Sequence, residues 1–341
     1  MSEISELIPV ANTTNISRRA DVLFVHGINA DPRTTWMPDN KLQGFPEESW
    51  LYWLGEDIPD VAVWTLGYPA SASGWKGFTM ELKERADTIT NLLLNHPDLD
   101  KNRPIIFVTH SMGGLLVKHI LRRALSGDYP NAKSLVEQTK GIVFLSTPHR
   151  GSNLANFIEG LAFLLPSVNV SELRENEPTL LELNNWFCLN FNRLKLQVQV
   201  FCENQPTPAQ KGFFGKLFRK IVVDKDSATL ALPDVSVTSL DADHSSICWV
   251  KSYQFRKQEQ LYGNVCQFIK ECLSKFPNKE RGEVPNPDNG SNNEAAIKLW
   301  KEKLAALREE QAIVIEAARK FELSKLIEEC QQMIQELEYD A

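Results

Sequence analysis

Apolar residues along the chain fall into two patterns that take turns. Short unbroken runs at Asp21–Val25, 60–69, Ile105–Val108 and Gly141–Ser146 read as strands buried on both faces. Between them the apolar positions return every three or four residues. This spacing predicts helices at Trp50–Leu54, at Gly77–His96 (through Phe78, Leu82, Ile89, Leu92 and Leu93) and from Leu115 onward (Leu115, Leu116, Ile120, Leu121). Leu196–Phe201 alternates like a further strand, Val235–Leu240 is the last strand candidate, and Gln258–Phe276 is a closing helix. Strands alternating with helices in this rhythm predict an α/β domain with a mostly parallel sheet, wound by right-handed crossovers with helices on both faces. Residues 1–17 are polar and aperiodic and read as a loose lead-in, so the domain is expected over 18–276.

Two stretches interrupt the rhythm. Residues 153–195 read as helical, with apolar Phe157, Leu161, Phe163, Leu164 and Leu165 and then Leu180, Leu181, Leu183, Trp186 and Phe187. Such an insertion either covers a pocket as a lid or packs as a plain helical excursion. Lys211–Val223 mixes lysine and arginine with phenylalanine, a composition that suits peripheral contact with an anionic membrane surface and equally a loop packed on the domain.

Beyond the domain, Pro277–Asn293 is rich in Pro, Gly and Asn without apolar periodicity and reads as a linker. From Glu294 the chain has neither Pro nor Gly. Ile297, Trp300, Leu304 and Leu307 form one stripe, and Leu323, Leu326, Cys330, Met333 and Leu337 another, with the register lost around Glu316–Lys320. Two helices folded as a hairpin over 294–341 account for that break. Such a pair has little core of its own and is expected to bind a helical protein partner or a second copy of itself.

Composition narrows the function classes. A net charge of −7 over 341 residues argues against a nucleic-acid partner, and no run reaches the ~20 apolar residues of a membrane span. The acidic start lacks the order of a signal peptide, and the six cysteines (Cys188, Cys202, Cys248, Cys266, Cys272, Cys330) show no CxxC spacing. The expectation is a cytoplasmic protein with free thiols, peripheral at most to a membrane, and without metal or organic cofactor.

The candidate chemistry centres on Thr109-His110-Ser111-Met112-Gly113, the turn between the Ile105–Val108 strand and the following helix. So tight a strand-to-helix turn lifts a serine hydroxyl above the sheet edge, as in a nucleophile elbow, and aims the next amide, that of Met112, into the same space. Thr109 departs from the glycine that opens the G-x-S-x-G pattern, and a serine here could instead merely cap the helix. His26-Gly27-Ile28 follows the first strand, where this kind of site takes its second oxyanion donor; the Ile28 amide is assigned, with Gly27 letting the chain turn. A left-handed turn after a strand would favour the same residues.

A serine hydroxyl needs a histidine base, and the base needs an acid. Of the six histidines, His26, His96 and His110 precede Ser111, His119 lies within the next helix, and His149 arrives before another strand could carry an acid. In the order Ser, acid, His only His244 remains. Glu203, directly after the Leu196–Phe201 strand, is the preferred acid and Asp226 the alternative; Asp224, Asp241 and Asp243 are further carboxylates in range.

Six motifs occur in order: His26-Gly-Ile with Asp31–Trp36, Val108–Leu115, Gly141–Ser152, Glu203-Asn-Gln-Pro-Thr207, Ser227-Ala228 and Asp243–Cys248. Together they resemble the lipase-like α/β-hydrolases of the serine-active-site-containing protein family, relatives of the GPI inositol deacylases, over about residues 20–275. The resemblance implies an α/β-hydrolase fold and a Ser–acid–His esterase acting on phospholipid or other acyl-lipid substrates, and it supports Glu203 as the acid. Trp249 stands where many members carry a basic residue. The tail, through Leu304–Leu307 and Lys320–Leu323, resembles more loosely the effector-associated helical adaptors of bacterial conflict systems, which implies recruitment by a signalling partner. The same residues would also serve an acyltransferase or thioesterase, or a non-catalytic hydrolase-fold binding protein.

Overall fold

The computed structural model describes residues 4–38, 44–70, 78–126, 131–149, 177–208, 219–230, 232 and 234–275, together with 301, 304, 305, 308, 311, 324, 327 and 331 of the C-terminal segment. The chain divides into two compact units, Met1–Pro277 and Asn278–Ala341.

The first unit is built on a seven-stranded sheet. Its strands are β1 (Glu6–Ala11), β2 (Ala20–Val25), β3 (Val61–Gly67), β4 (Ile105–His110), β5 (Thr139–Leu145), β6 (Gln197–Glu203) and, after a small hairpin described below, β9 (Val237–Leu240). They lie in the order β1-β3-β2-β4-β5-β6-β9, and only β1 runs antiparallel to its neighbour. The helices between them are α1 (Trp50–Asp57), α2 (Phe78–Asn95), α3 (Met112–Ser126), α4 (Ala132–Gln138) and α5 (Glu177–Leu194), with the short α6 (Lys225–Ala228) and the closing α7 (Gln260–Lys275) further on.

Alternate residues of the central strands feed two separate cores. Leu23, Val25, Ile105 and Phe107 pack with Leu82 and Ile89 of α2, with Leu115 and Ile120 of α3, and with Leu183 and Phe187 of α5. Val22, Phe24, Ile106 and Val108 pack on the other face with Trp50 and Leu54 of α1 and Val265 and Ile269 of α7. Both faces are therefore covered, which is why these strands are apolar throughout instead of alternating.

Residues 6–11 correct the reading of 1–17 as a loose lead-in. They form β1, paired with β3 from Glu6 opposite Gly67 to Ala11 opposite Val63. Pro9 lies within this strand. On the edge of a sheet its missing N–H costs nothing, and the register shifts beside it. α4 is likewise an addition, a two-turn helix too short to show a period. Residues 153–176 of the expected insertion lie outside the described residues; its remainder is mostly the helix α5.

In the second unit, Gln311 Nε2 donates to Ser324 Oγ at 2.7 Å, both residues being helical. Thirteen residues of one straight helix would span about 20 Å, so these two residues do not belong to one straight helix.

Candidate active site

The chain leaves β2 for β3 on one side and returns across it to β4 on the other, so the carboxyl ends of β2 and β4 diverge at a switch in strand order. Loops at such a point open a crevice above the sheet. Val25 and Thr109 are register partners, and the segments that continue from them, His26–Ile28 and His110–Ser111, therefore emerge side by side.

Ser111 bridges β4 and α3 with φ +52°, a left-handed conformation that a side chain rarely adopts and that marks stored strain. Several bonds hold it there. Its amide donates to Leu145 O at 2.8 Å, and its carbonyl accepts from the Thr147 hydroxyl at 3.1 Å and from the Gly114 amide at 3.2 Å. The room is small: a Cβ on Gly114 would stand 2.2 Å from Thr147 Oγ1. Thr109, in place of the expected glycine, fits because it is still part of β4, where its hydroxyl donates to Val143 O at 3.0 Å.

The three separated candidates come together. His244 Nε2 lies 3.1 Å from Ser111 Oγ, and its Nδ1 lies 3.0 Å from Glu203 Oε2. A carboxylate can only accept, so Nδ1 carries the hydrogen and Nε2 is left to accept from the serine hydroxyl. All three residues are buried. Burial alone would raise the Glu203 carboxyl. The adjacent His244 ring and the amides of Val222 and Val223, each 2.8 Å from Oε1, outweigh it and hold the group below its ordinary value.

Asp226, the alternative acid, is not part of this line. It sits exposed in the first turn of α6. The other carboxylates have local work: Asp224 caps α6 through Ser227 N, Asp241 accepts from Gln205 Nε2, and Asp243 accepts from the amides of Ser245 and Ser246. Glu203 differs because it is the last residue of β6 and points from the sheet edge itself.

The amides of Ile28 and Met112 have no backbone acceptor among the described residues, whereas those of Asn29 and Ser111 are used, by Ala70 O and Leu145 O. Met112 begins α3, so its amide also carries the positive end of that helix. Among the described residues no group of three or more His, Cys, Asp or Glu is placed to hold a metal ion, and no helix is long and apolar enough to cross a membrane.

Around the three candidates are two contacts made by residues of the Val108–Leu115 and Glu203–Thr207 motifs, which the motifs alone do not reveal. The hairpin β7 (Thr207–Pro208) and β8 (Arg219–Lys220) follows β6, and Thr207 Oγ1 accepts from the His244 amide at 2.9 Å. His110 Nε2 lies 2.9 Å from the His244 carbonyl oxygen.

A serine on the elbow after the central strand, an acid at the end of β6 and a histidine after β9, in that chain order, settle the architecture. The fold is that of an α/β-hydrolase. Residues 20–167 match the family described as "Putative serine esterase (DUF676)", a span that holds Ser111 and Ile28 and ends before Glu203 and His244. The chain is 34% identical over 276 residues to "Protein SERAC1" of Danio rerio and 34% identical over 273 residues to that of Homo sapiens. These alignments take in 76% and 75% of this chain but only 40% and 39% of the relatives, so the chain spans about two-fifths of their length. Solved structures similar to it include a lipase-esterase related protein from Clostridium acetobutylicum (TM-score 0.42, 12% identity, 79% of this chain and 99% of that one). Another is a carboxylesterase linked to the thaumarchaeon Nitrososphaera gargenis (TM-score 0.46, 10% identity, 80% and 96%).

Proposed function

We propose that this chain is a serine hydrolase of carboxylic esters, related to the serine-active-site-containing proteins, in which Ser111 is the nucleophile, His244 the general base and Glu203 its orienting acid. The observation that carries the reading is the unbroken line from Ser111 Oγ through both ring nitrogens of His244 to Glu203. In that line the hydroxyl proton passes to His244 Nε2 as Oγ attacks the ester carbonyl. The imidazolium is stabilised by the carboxylate at Nδ1. The negative charge on the carbonyl oxygen is met by the amides of Met112 and Ile28. One such donor typically contributes about 2.7–4 kcal/mol of barrier lowering. As the tetrahedral adduct collapses, His244 returns the proton to the leaving alcohol. Water then repeats the sequence on the acyl-serine, releasing the acid and regenerating the hydroxyl.

Lipid or phospholipid esters are the proposed substrate class, supported by the family resemblance. Peripheral membrane contact is supported by the basic and aromatic composition of Lys211–Val223, of which 211–218 lie outside the described residues. The second unit is proposed to dock a helical partner or a second copy through 294–341, supported by its two apolar stripes.

The test is turnover of p-nitrophenyl esters with labelling by a fluorophosphonate. Wild type reacts and Ser111→Ala does neither; persistent labelling of that variant would remove Ser111 from its role. Lipidomic comparison of membranes exposed to the two proteins then identifies the substrate.

A further inference from the structure

The main chain of His244 is gripped at both of its polar atoms. Its N–H donates to Thr207 Oγ1 at 2.9 Å, and its carbonyl oxygen lies 2.9 Å from His110 Nε2. Both gripping residues are buried, His110 at 7% and Thr207 at 3% exposure. A carbonyl only accepts, so the His110 ring carries its hydrogen on Nε2 and donates. Burial, together with the neighbouring His244, holds His110 far below the usual imidazole value, so the ring is neutral and its buried Nδ1 is bare, without a partner among the described residues. The two imidazoles are tilted at 46° with centroids 4.9 Å apart.

The position of His110 gives this contact its meaning. His110 ends β4 and is bonded directly to Ser111, so one residue fixes the serine through the chain and the base through its side chain. The loop that carries His244 follows β9, three strands away from β4 across β5 and β6. Without a local link, the 3.1 Å between Oγ and Nε2 would depend on the summed positions of all those strands. Thr207 closes the grip from the other side. It sits in the β7–β8 hairpin, whose continuation supplies the Val222 and Val223 amides to Glu203, so one hairpin positions both acid and base.

We infer that His110 and Thr207 are a pair of positioning residues that hold the His244 backbone and thereby set its imidazole against the Ser111 hydroxyl. The inference rests on the proposed roles of Ser111 and His244. Neither positioning residue touches substrate, so their loss lowers turnover and leaves substrate affinity alone.

The experiment compares wild type with His110→Phe, His110→Gln, Thr207→Val and Thr207→Ser, reading kcat and KM on a p-nitrophenyl ester, fluorophosphonate labelling rate and thermal midpoint. A displacement of the base by about 1 Å costs on the order of 10²-fold. His110→Phe and Thr207→Val should therefore lose roughly 10- to 100-fold in kcat and in labelling rate, with KM within about twofold. His110→Gln restores a donor and Thr207→Ser restores the hydroxyl, and both should recover most of the loss. A fall in thermal midpoint with kcat intact, or equal impairment of the restoring and non-restoring variants, overturns the positioning role. Wild type that labels beside an unimpaired His110→Phe overturns it as well, leaving the esterase reading in place. Wild type that neither labels nor turns over ester overturns both.

Discussion

A Cβ on Gly113 would lie 2.4 Å from the carbonyl oxygen of Val25, so the first turn of α3 touches the end of β2 backbone to backbone. That contact seats the helix start, and with it the Met112 amide, beside the loop that carries Ile28. Neither party to the clash is a flexible side chain, so an added methyl has to move the helix or the strand. Gly113→Ala should therefore destabilise the protein by about 1–3 kcal/mol and slow ester turnover, although alanine ordinarily gains up to about 1 kcal/mol in a helix. Gly263 in α7 is the control: its Cβ would meet nothing nearer than Lys257 O at 3.5 Å. Gly263→Ala should raise the thermal midpoint while Gly113→Ala lowers it, as scanning calorimetry would show.

Glu203→Gln replaces the acceptor at His244 Nδ1 by a group that can present an N–H, favouring the wrong tautomer at Nε2. Turnover should fall on the order of 10⁴-fold with KM little changed. Stability should respond with a particular pH dependence. Because the folded-state pKa of Glu203 is held below its ordinary value of 4.5, the carboxylate contributes stability above that value and loses it as pH falls through the folded-state pKa. The gap in unfolding free energy between wild type and variant should be open at neutral pH and narrow below about pH 4.5, measured by urea titration.

The elements that place Ser111 and His26–Ile28 were legible because they are local. A buried apolar run, a tight turn and a return to helical spacing lie within one stretch of sequence, and β4 and α3 appear where that pattern puts them. His244 could be reached by chain order alone. The acid could not be fixed that way, since Glu203 and Asp226 both follow apolar runs; what separates them is that Glu203 ends a strand of the main sheet while Asp226 sits on a surface turn. β1 was missed because 1–17 read as polar and aperiodic: its buried positions do not alternate, the register shifting between Pro9 and Ala11, and its proline is harmless on an edge. The grips on His244 were half legible: His110 and Thr207 both lie inside motifs, but no motif says what they touch. They join residues 134 and 37 positions apart through backbone atoms, which every residue carries and no pattern distinguishes.

The second unit bears on assembly. If the stripes of 294–341 meet a partner helix or another copy, removing them should lower the oligomeric mass or abolish capture of that partner while ester turnover by the first unit persists. Sedimentation analysis and p-nitrophenyl ester kinetics on the full chain and on the chain ending at residue 293 would check this. Loss of turnover together with unchanged mass would count against a docking role.

Lys118 offers a stability test independent of catalysis. It lies on α3, fully buried, with Nζ 2.8 Å from His149 Nδ1 and 2.8 Å from Asn184 Oδ1, and above the rings of Phe187 and Phe144 at 4.9 and 5.5 Å. Those two hydrogen-bond partners are uncharged, His149 itself being held neutral by burial, so the ammonium is poorly compensated. Burial pulls Lys118 down from 10.5 to about 7. Between those values the unfolded chain binds a proton that the folded chain does not, so stability rises with pH across that window. Buried thiols such as Cys272, pushed up to about 12, act in the opposite sense above about pH 9, which makes pH 7 to 9 the range to use. Wild type should gain about 2–3 kcal/mol over those two units. Lys118→Met leaves His149 and Asn184 without their donor, which shifts its stability by an amount that does not vary over this range. The slope, by contrast, should flatten. Parallel slopes for wild type and Lys118→Met, measured by urea unfolding at pH 7, 8 and 9, would show that Lys118 keeps its proton in the fold.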